Sequence, residues 1–258
     1  AHRRSGMKVT FLGTGTSIGV PRIGCHCPVC TSDDPKNDRL RCALHLEHRG
    51  HSILVDTGPD LRTQALRYRI DRVDCVLFTH GHADHLHGLD DVRTYCFGRN
   101  APLPCYAAPV TIERIERVFD YAFDRSAPST VPQIALVHID GPFNVCDLEI
   151  EPLTVYHGRA PVLAFRIGRF AYVTDTNRIP PEAMNRLQGL DVLVLDALRH
   201  QEHPTHFNVA QALAIVDQLK PNQTYLTHIA HDLEHHQTNA ELPARVELAY
   251  DGLVLECA

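Results

Sequence analysis

The segment Thr79-His80-Gly81-His82-Ala83-Asp84-His85 constrains this chain more than any other feature. It places three imidazoles and a carboxylate within six positions, directly after the apolar run 73–78, which reads as a buried strand. In extended or turn geometry His80 and His82 point to one side. The start of a following helix swings Asp84 and His85 toward a neighbouring point, so one metal ion can take the first pair and a second ion the other. A chain with 18 histidines in 258 residues has imidazole to spare for such a purpose.

Strand-like and helix-like segments alternate around this cluster, with no low-complexity linker or solenoid repeat. Strands are expected at 8–12, 43–48, 52–55, 73–78, 162–167, 170–174, 192–195 and 224–229. Helices are expected at 61–70, 111–123 and 209–219, and a closing hairpin at 246–249 and 253–256 around Asp251-Gly252. Two halves, each of strands followed by helices, predict an α/β fold: one domain over residues 7–258, built as a four-layer αββα sandwich of two mixed sheets flanked by helices. Residues 1–6 read as an expression remnant ahead of Met7. The turn 13–19 is glycine-rich and reads as a turn, not a phosphate cradle.

The run His80-Gly-His82-Ala-Asp84-His85 resembles the HxHxDH signature of the metallo-β-lactamase superfamily, and the flanking elements follow in matching order. That resemblance implies three more ligands, each after a strand: a histidine, a bridging aspartate and a last histidine. Leu153-Thr-Val-Tyr-His157, Tyr172-Val-Thr-Asp175 and Tyr225-Leu-Thr-His228 supply them in order. It implies His80, His82 and His157 on one ion, Asp84, His85 and His228 on the other, and Asp175 between. Nitrogen and oxygen donors without thiolate suit two divalent ions such as Zn or Mn, or iron, held about 3.5–4 Å apart.

Cys25, Cys27 and Cys30 carry the spacing CxCxxC, and three thiolates need one more donor to close a tetrahedral zinc site. His231, three residues beyond His228, is the candidate fourth ligand of this structural Zn. The odd total of nine cysteines, three of them in one tight trio, does not fit a disulfide framework. Cys42, Cys75, Cys96, Cys105, Cys146 and Cys257 read as small packing residues. The trio, together with Gly13-Thr-Gly-Thr-Ser and Ile229-Ala-His231-Asp232, is similar to the phosphodiesterases of the carbon-phosphorus lyase pathway, which open phosphoribosyl cyclic phosphates. A related cysteine pattern belongs to the pyrroloquinoline quinone biosynthesis proteins.

His206, in Pro204-Thr-His206-Phe-Asn208, matches the position of a histidine that those phosphodiesterases set over the substrate phosphate, where an imidazole can protonate a leaving alkoxide. His200 and His203 compete for that role. Asp175 and His206 are therefore the catalytic candidates, and Asp56 and Thr57 are expected to brace the ligand histidines. The stretch 107–133, with Tyr121 and Phe123, is expected to form a lid or a homodimer contact.

The expected function is hydrolysis of a small cyclic or nucleotide-like phosphodiester by attack of a metal-bound hydroxide. Transfer-RNA 3′ processing, thioester or lactone hydrolysis, and a non-catalytic carrier role of the quinone-biosynthesis kind are the alternatives. A formal charge of −6 disfavours long nucleic acid as a substrate, and no apolar run approaches the roughly 20 residues of a membrane-spanning helix. With neither a leader nor a membrane span in view, a cytoplasmic location is expected.

Overall fold

The computed structural model describes residues 6–124 and 130–257, so residues 1–5 of the expected remnant and residues 125–129 of the stretch expected to form a lid or a homodimer contact lie outside the described residues. The strands are β1 (Met7–Gly13), β2 (Ala43–His48), β3 (His51–Val55), β4 (Cys75–Leu77), β5 (Leu103–Ala107), β6 (Ile134–His138), β7 (Phe143–Val145), β8 (Leu148–His157), β9 (Ala160–Ile167), β10 (Phe170–Val173), β11 (Val192–Asp196), β12 (Gln223–Thr227), β13 (Val246–Leu248) and β14 (Val254–Cys257). The helices are α1 (Leu61–Tyr68), α2 (Ala83–Leu86), α3 (Arg93–Cys96), α4 (Pro109–Val118), α5 (Pro181–Arg186), α6 (Val209–Leu219) and α7 (His235–Glu241).

The strands form two seven-stranded sheets, ordered β14-β1-β2-β3-β4-β5-β6 and β13-β12-β11-β10-β9-β8-β7. Both follow one plan. Four strands pair antiparallel (β14, β1, β2 and β3 in one sheet, β7, β8, β9 and β10 in the other), and three more continue in parallel through helical crossovers. The expected sandwich of two mixed sheets is therefore present.

Strand periodicity explains the layers. In β3, Ile53 and Val55 join the apolar layer between the sheets, where Phe11, Phe165, Phe170 and Tyr172 also sit, while Leu54 faces the layer under α1 and α4. In β11 the assignment repeats: Val194 points between the sheets, and Leu193 and Leu195 point outward beneath α5 and α6. Strands buried on both faces must be continuously apolar, as these are. Leu195→Ala, at a fully buried position, would cost about 2–5 kcal/mol.

Three expected elements end differently. α1 stops at Tyr68 because Arg69 turns left-handed (φ 53°) and gives its N–H to Ala65 O. The helix expected over 111–123 starts earlier, at Pro109, whose missing N–H costs nothing at a first position; it breaks at Phe119 before a short 3-10 turn, Asp120–Ala122. The closing hairpin is not one. β13 pairs parallel with β12, and β14 pairs antiparallel with β1 in the other sheet. Asp251 makes the difference: its carboxylate accepts from Thr14 Oγ1 at 2.8 Å and Leu40 N at 2.7 Å, so the turn is bonded to the first sheet and carries the chain across. Among the described residues, no helix is long and apolar enough to cross a membrane.

Candidate metal centre

The candidate ligands all follow strands at one rim of the sandwich. His157 is the last residue of β8, and the cluster from Thr79 follows β4. Asp175 and His228 come just after β10 and β12. Asp175 and His228 both take left-handed backbone angles (φ 51° and 59°), as does Asp56 after β3 (φ 65°). Such angles cost a non-glycine residue of order 1–3 kcal/mol and recur where a side chain must be re-aimed. That turn at His228 is also why the strand expected to reach Ile229 ends at Thr227.

Four ring orientations follow from acceptor-only partners. His85 Nδ1–H donates to Asp56 Oδ2 at 2.7 Å, and His157 Nδ1–H to the carbonyl of Thr205 at 2.9 Å. His206 Nδ1–H donates to Asp196 Oδ2 at 2.7 Å. Thr79 spends its single hydroxyl proton on Asp56 Oδ2 at 2.7 Å, so at 3.0 Å it accepts from His80 Nδ1–H. Each ring therefore turns an Nε2 lone pair away from its anchor. Asp56, further held by Thr79 N at 2.8 Å, braces two candidate ligands at once, whereas the hydroxyl of Thr57, expected to share that role, is buried without a hydrogen-bond partner among the described residues.

Those lone pairs converge. His85 Nε2 lies 3.0 Å from Asp175 Oδ2 and 3.3 Å from Asp84 Oδ2, and His228 Nε2 lies 3.2 Å from Asp175 Oδ1. Asp84, His85, Asp175 and His228 offer donor atoms that all fall within 4.8 Å of one another. On the other side of Asp175, His80 Nε2 is 3.9 Å from Oδ1, and the rings of His80, His82 and His157 lie 4.5–6.1 Å apart between centroids. Asp175 thus stands between two groups. The first is buried, whereas His82 is exposed and opens the second to solvent.

A chemical test of the donor set favours cations here. The Nε2 atoms of His80, His85 and His228 are buried without a hydrogen-bond partner, although carboxylates stand beside them. Buried polar atoms are rarely orphaned, and lone pairs crowding one point are what co-ligands of an ion look like. The electrostatics agree. Burial disfavours charge on Asp175, but the charges of His228 and His85 outweigh it and hold the carboxyl well below its usual range; Asp84 is lowered in the same way. Reciprocally, burial opposes charge on His228, yet Asp175 and Asp84 push it up to about 9. Protons balance a field that divalent ions would satisfy.

His206 is buried beside these groups, its ring stacked on His228 at 4.5 Å and set edge-on to His157 at 4.5 Å. Asp196, which orients it, is fully buried and also accepts from Thr176 N at 2.7 Å. Sequence reasoning missed Asp196 as a functional residue; its one signal is a carboxylate closing the apolar strand 192–195. The competitor His203 is a ring neighbour of His206, centroids 5.1 Å apart, and His200 is exposed.

The cysteine trio lies beside His231. Cys25 Sγ and Cys27 Sγ lie 3.4 and 3.2 Å from His231 Nδ1, and all four donor atoms fall within 4.8 Å. A tetrahedral zinc with ordinary Zn–S and Zn–N bonds separates its ligand atoms by about 3.5–3.8 Å, so the four can hold one. The His231 interaction lowers the Cys27 thiol, whereas burial raises Cys30 to about 11. Cys30 Sγ accepts from Arg22 N and Cys27 Sγ from Cys30 N, both at 3.4 Å.

A family model described as beta-lactamase superfamily domain matches residues 51–229, the span that holds every candidate ligand except the trio and His231. An octanoyltransferase from Porphyromonas gingivalis is 40% identical over 252 residues, covering 96% of this chain and 51% of that protein. The chain thus spans about half the length of that relative. A coenzyme PQQ synthesis protein B from a Methylobacterium strain is 29% identical over 224 residues, covering 74% of this chain and 72% of the other. Among solved structures, a crystal structure described as a new diphosphatase from the PhnP family superposes with a TM-score of 0.92 at 43% identity over 98% of each chain. Zinc-bound PqqB from Methylobacterium extorquens, at 22% identity and a TM-score of 0.77, shares the fold. With the two-sheet sandwich, the histidine and aspartate rim and the matching family model in agreement, the chain belongs to the metallo-β-lactamase superfamily.

Proposed function

We propose that this chain hydrolyses a small phosphodiester, cyclic or nucleotide-like, at the Asp175 rim. The observation that carries this reading is the Asp196–His206 pair, its imidazole stacked on His228 and edge-on to His157, which leaves one ring nitrogen free beside the candidate ligands. Two divalent ions, when bound by His80, His82 and His157 on one side and Asp84, His85 and His228 on the other with Asp175 between, would supply Lewis acidity toward water and a phosphoryl oxygen. Asp56, Thr79 and the Thr205 carbonyl keep the ligand rings from turning. Asp196 holds the proton on His206 Nδ1, so His206 acts through Nε2. In its protonated form that nitrogen can give its proton to the departing alkoxide and be left neutral.

Likeness to a PhnP-family diphosphatase supports phosphoryl chemistry over thioester or lactone hydrolysis. The octanoyl transfer in the longer relative's name describes a protein of which this chain spans half, and carries no activity across. The trio with His231 is read as a structural zinc site. A panel of metal-loaded reactions tests the reading: bis(p-nitrophenyl) phosphate, a nucleoside 2′,3′-cyclic phosphate, a thioester and a lactone. Phosphodiesters should turn over at least about 100-fold faster than the acyl substrates. The reverse order would overturn it.

A further inference from the structure

Two cysteines outside the trio, one from each sheet, meet at the rim opposite the candidate metal centre. Cys75 opens β4, whose other end delivers the ligand cluster, and its side chain is buried in the apolar layer between the sheets. Cys146 lies in the turn before β8, whose far end carries His157; it packs against the same layer and stays partly open to solvent. Tyr106 of β5 and Phe143 of β7 pack on this layer too and stack with ring centroids 4.9 Å apart, so the two sheets touch here. The two thiols hydrogen-bond to each other across that contact. The bond lowers Cys146 and, together with burial, raises Cys75, so of the pair Cys146 ionises first and Cys75 keeps its proton.

The turn that holds Cys146 is built against local preference. Val145 pairs with Leu148, which leaves Cys146 and Asp147 as the two turn residues, and both take left-handed angles (φ 54° and 61°). Turns of that geometry favour asparagine, aspartate and glycine, not cysteine, at their first position. What the cysteine gains there is a sulfur set against Cys75. His51 and Asp74 also offer donor atoms within 4.8 Å of the Cys146 sulfur, a grouping that could suit a metal ion. Asp74 is already engaged, however: Oδ1 accepts from Arg72 Nε and Oδ2 from Ser52 N, both at 2.9 Å. The Arg72 guanidinium on that carboxylate disfavours a second cation and steadies a thiolate at Cys146 instead.

We propose that Cys146 is a site of oxidation by hydrogen peroxide and that Cys75 resolves it into a disulfide tying the two sheets together. In the first step the Cys146 sulfur attacks one peroxide oxygen and the O–O bond breaks. The departing hydroxide takes up the thiol proton as water, and Cys146 is left as a sulfenic acid. In the second step the Cys75 sulfur attacks the Cys146 sulfur and the S–O bond breaks. The hydroxide leaves with the Cys75 proton as a second water. The two thiols give up two electrons in all, and the peroxide accepts them. The bridge closes a long loop, from β4 to the start of β8, so it constrains the unfolded chain strongly. Neither step involves the metal rim, and the proposal does not depend on the substrate hydrolysed there.

The test treats the full, zinc-loaded chain with a small excess of hydrogen peroxide and follows thiol alkylation after unfolding, peptide masses, zinc content and Tm. Wild type should yield a peptide cross-linked through Cys75 and Cys146, with zinc retained and Tm raised by about 4–16 °C, and dithiothreitol should reverse both changes. Cys146→Asn, chosen because asparagine suits the turn, should show neither change. Cys75→Ala should stop at the first step, so that dimedone labels Cys146 as the sulfenic acid. Wild type whose Cys75 and Cys146 both remain open to alkylation, or a Cys75→Ala variant that dimedone does not label at Cys146, overturns the proposal. A bridge that forms without raising Tm overturns its role as a tie between the sheets. A zinc ion that wild type holds and Cys146→Asn loses would assign the cluster with His51 and Asp74 to a metal instead.

Discussion

The two candidate metal sites lie three residues apart on one segment, at His228 and His231, yet they are built in opposite ways. Around Asp175 the donors are aimed by sheets: Asp56, His85, Asp175 and His228 are 0–2% exposed, four rings are pinned through Nδ1, and three backbone positions are held left-handed by the strands behind them. At Cys25, Cys27 and Cys30 the donors are half-buried thiols, steadied by a few weak backbone contacts. They sit in the connection from Thr14 to Cys42, whose one regular element is a 3-10 turn, Pro35–Asn37. Connections of such length are seldom ordered without help. Here order is supplied by the fully buried Arg39, which donates to Thr14 Oγ1 at 2.9 Å and Ala249 O at 2.5 Å, and by the thiol cluster, which fastens the loop to His231. One site is a product of the fold. The other helps to make it.

That contrast can be broken by mutation, most sharply at the bridge. Asp175→Ala should lower kcat by about 10³-fold or more and reduce the ions held at the rim, with a small change in Tm, because the sheets set this geometry before any ion binds. A large loss of stability with rim ions retained would contradict the assignment. His206→Ala should lower kcat about 100-fold on a ribosyl or alkyl diester and far less on a p-nitrophenyl diester, whose leaving group needs little protonation, while metal content stays intact. Equal losses on both substrates would give His206 a positioning role instead.

Asp56→Asn leaves a side chain of the same shape but trades one carboxylate oxygen for a donor, so it should weaken metal binding at the rim by about 10–100-fold without touching the thiolate site. A competition titration against a chromophoric chelator reads this directly. The smallest catalytic effect belongs to Cys27→Ser, which should release the thiolate-bound zinc and lower Tm by about 4–12 °C, given about 2–3 kcal/mol lost in a chain of this size. Activity per filled rim should fall no more than about fivefold, through loosening of the segment that carries His228. Unchanged Tm and zinc content would remove the structural site from the account.

The two sites were unequally easy to read from sequence, for a physical reason. A ligand cluster packed into one turn, as at His80 to His85 or Cys25 to Cys30, shows in the sequence because local geometry alone can bring the donors together. Ligands that arrive by sheet topology, such as His157, Asp175 and His228, became visible only as strand-end residues in a familiar order. Asp196 escaped altogether: a carboxylate at the end of an apolar strand looks like any strand end until Phe207 and Thr176 pair through their backbones and bring His206 against it. The chain reversal at Asp251-Gly252 was misread for a similar reason. Its turn chemistry is that of a hairpin, and only long-range bonds to Thr14 and Leu40 show that it changes sheets.

The central claim is that one fold holds an open nitrogen-and-oxygen centre and a closed thiolate centre on the same segment. Staged chelation with metal counting tests it most directly: protein loaded with zinc is exposed to increasing chelator while bound metal, activity and Tm are followed on one sample. The account predicts about three ions per chain, with the first losses abolishing activity at nearly constant Tm and the last, slower loss lowering Tm. A fully active protein holding a single ion, or one whose ions, activity and stability all leave together, would contradict it.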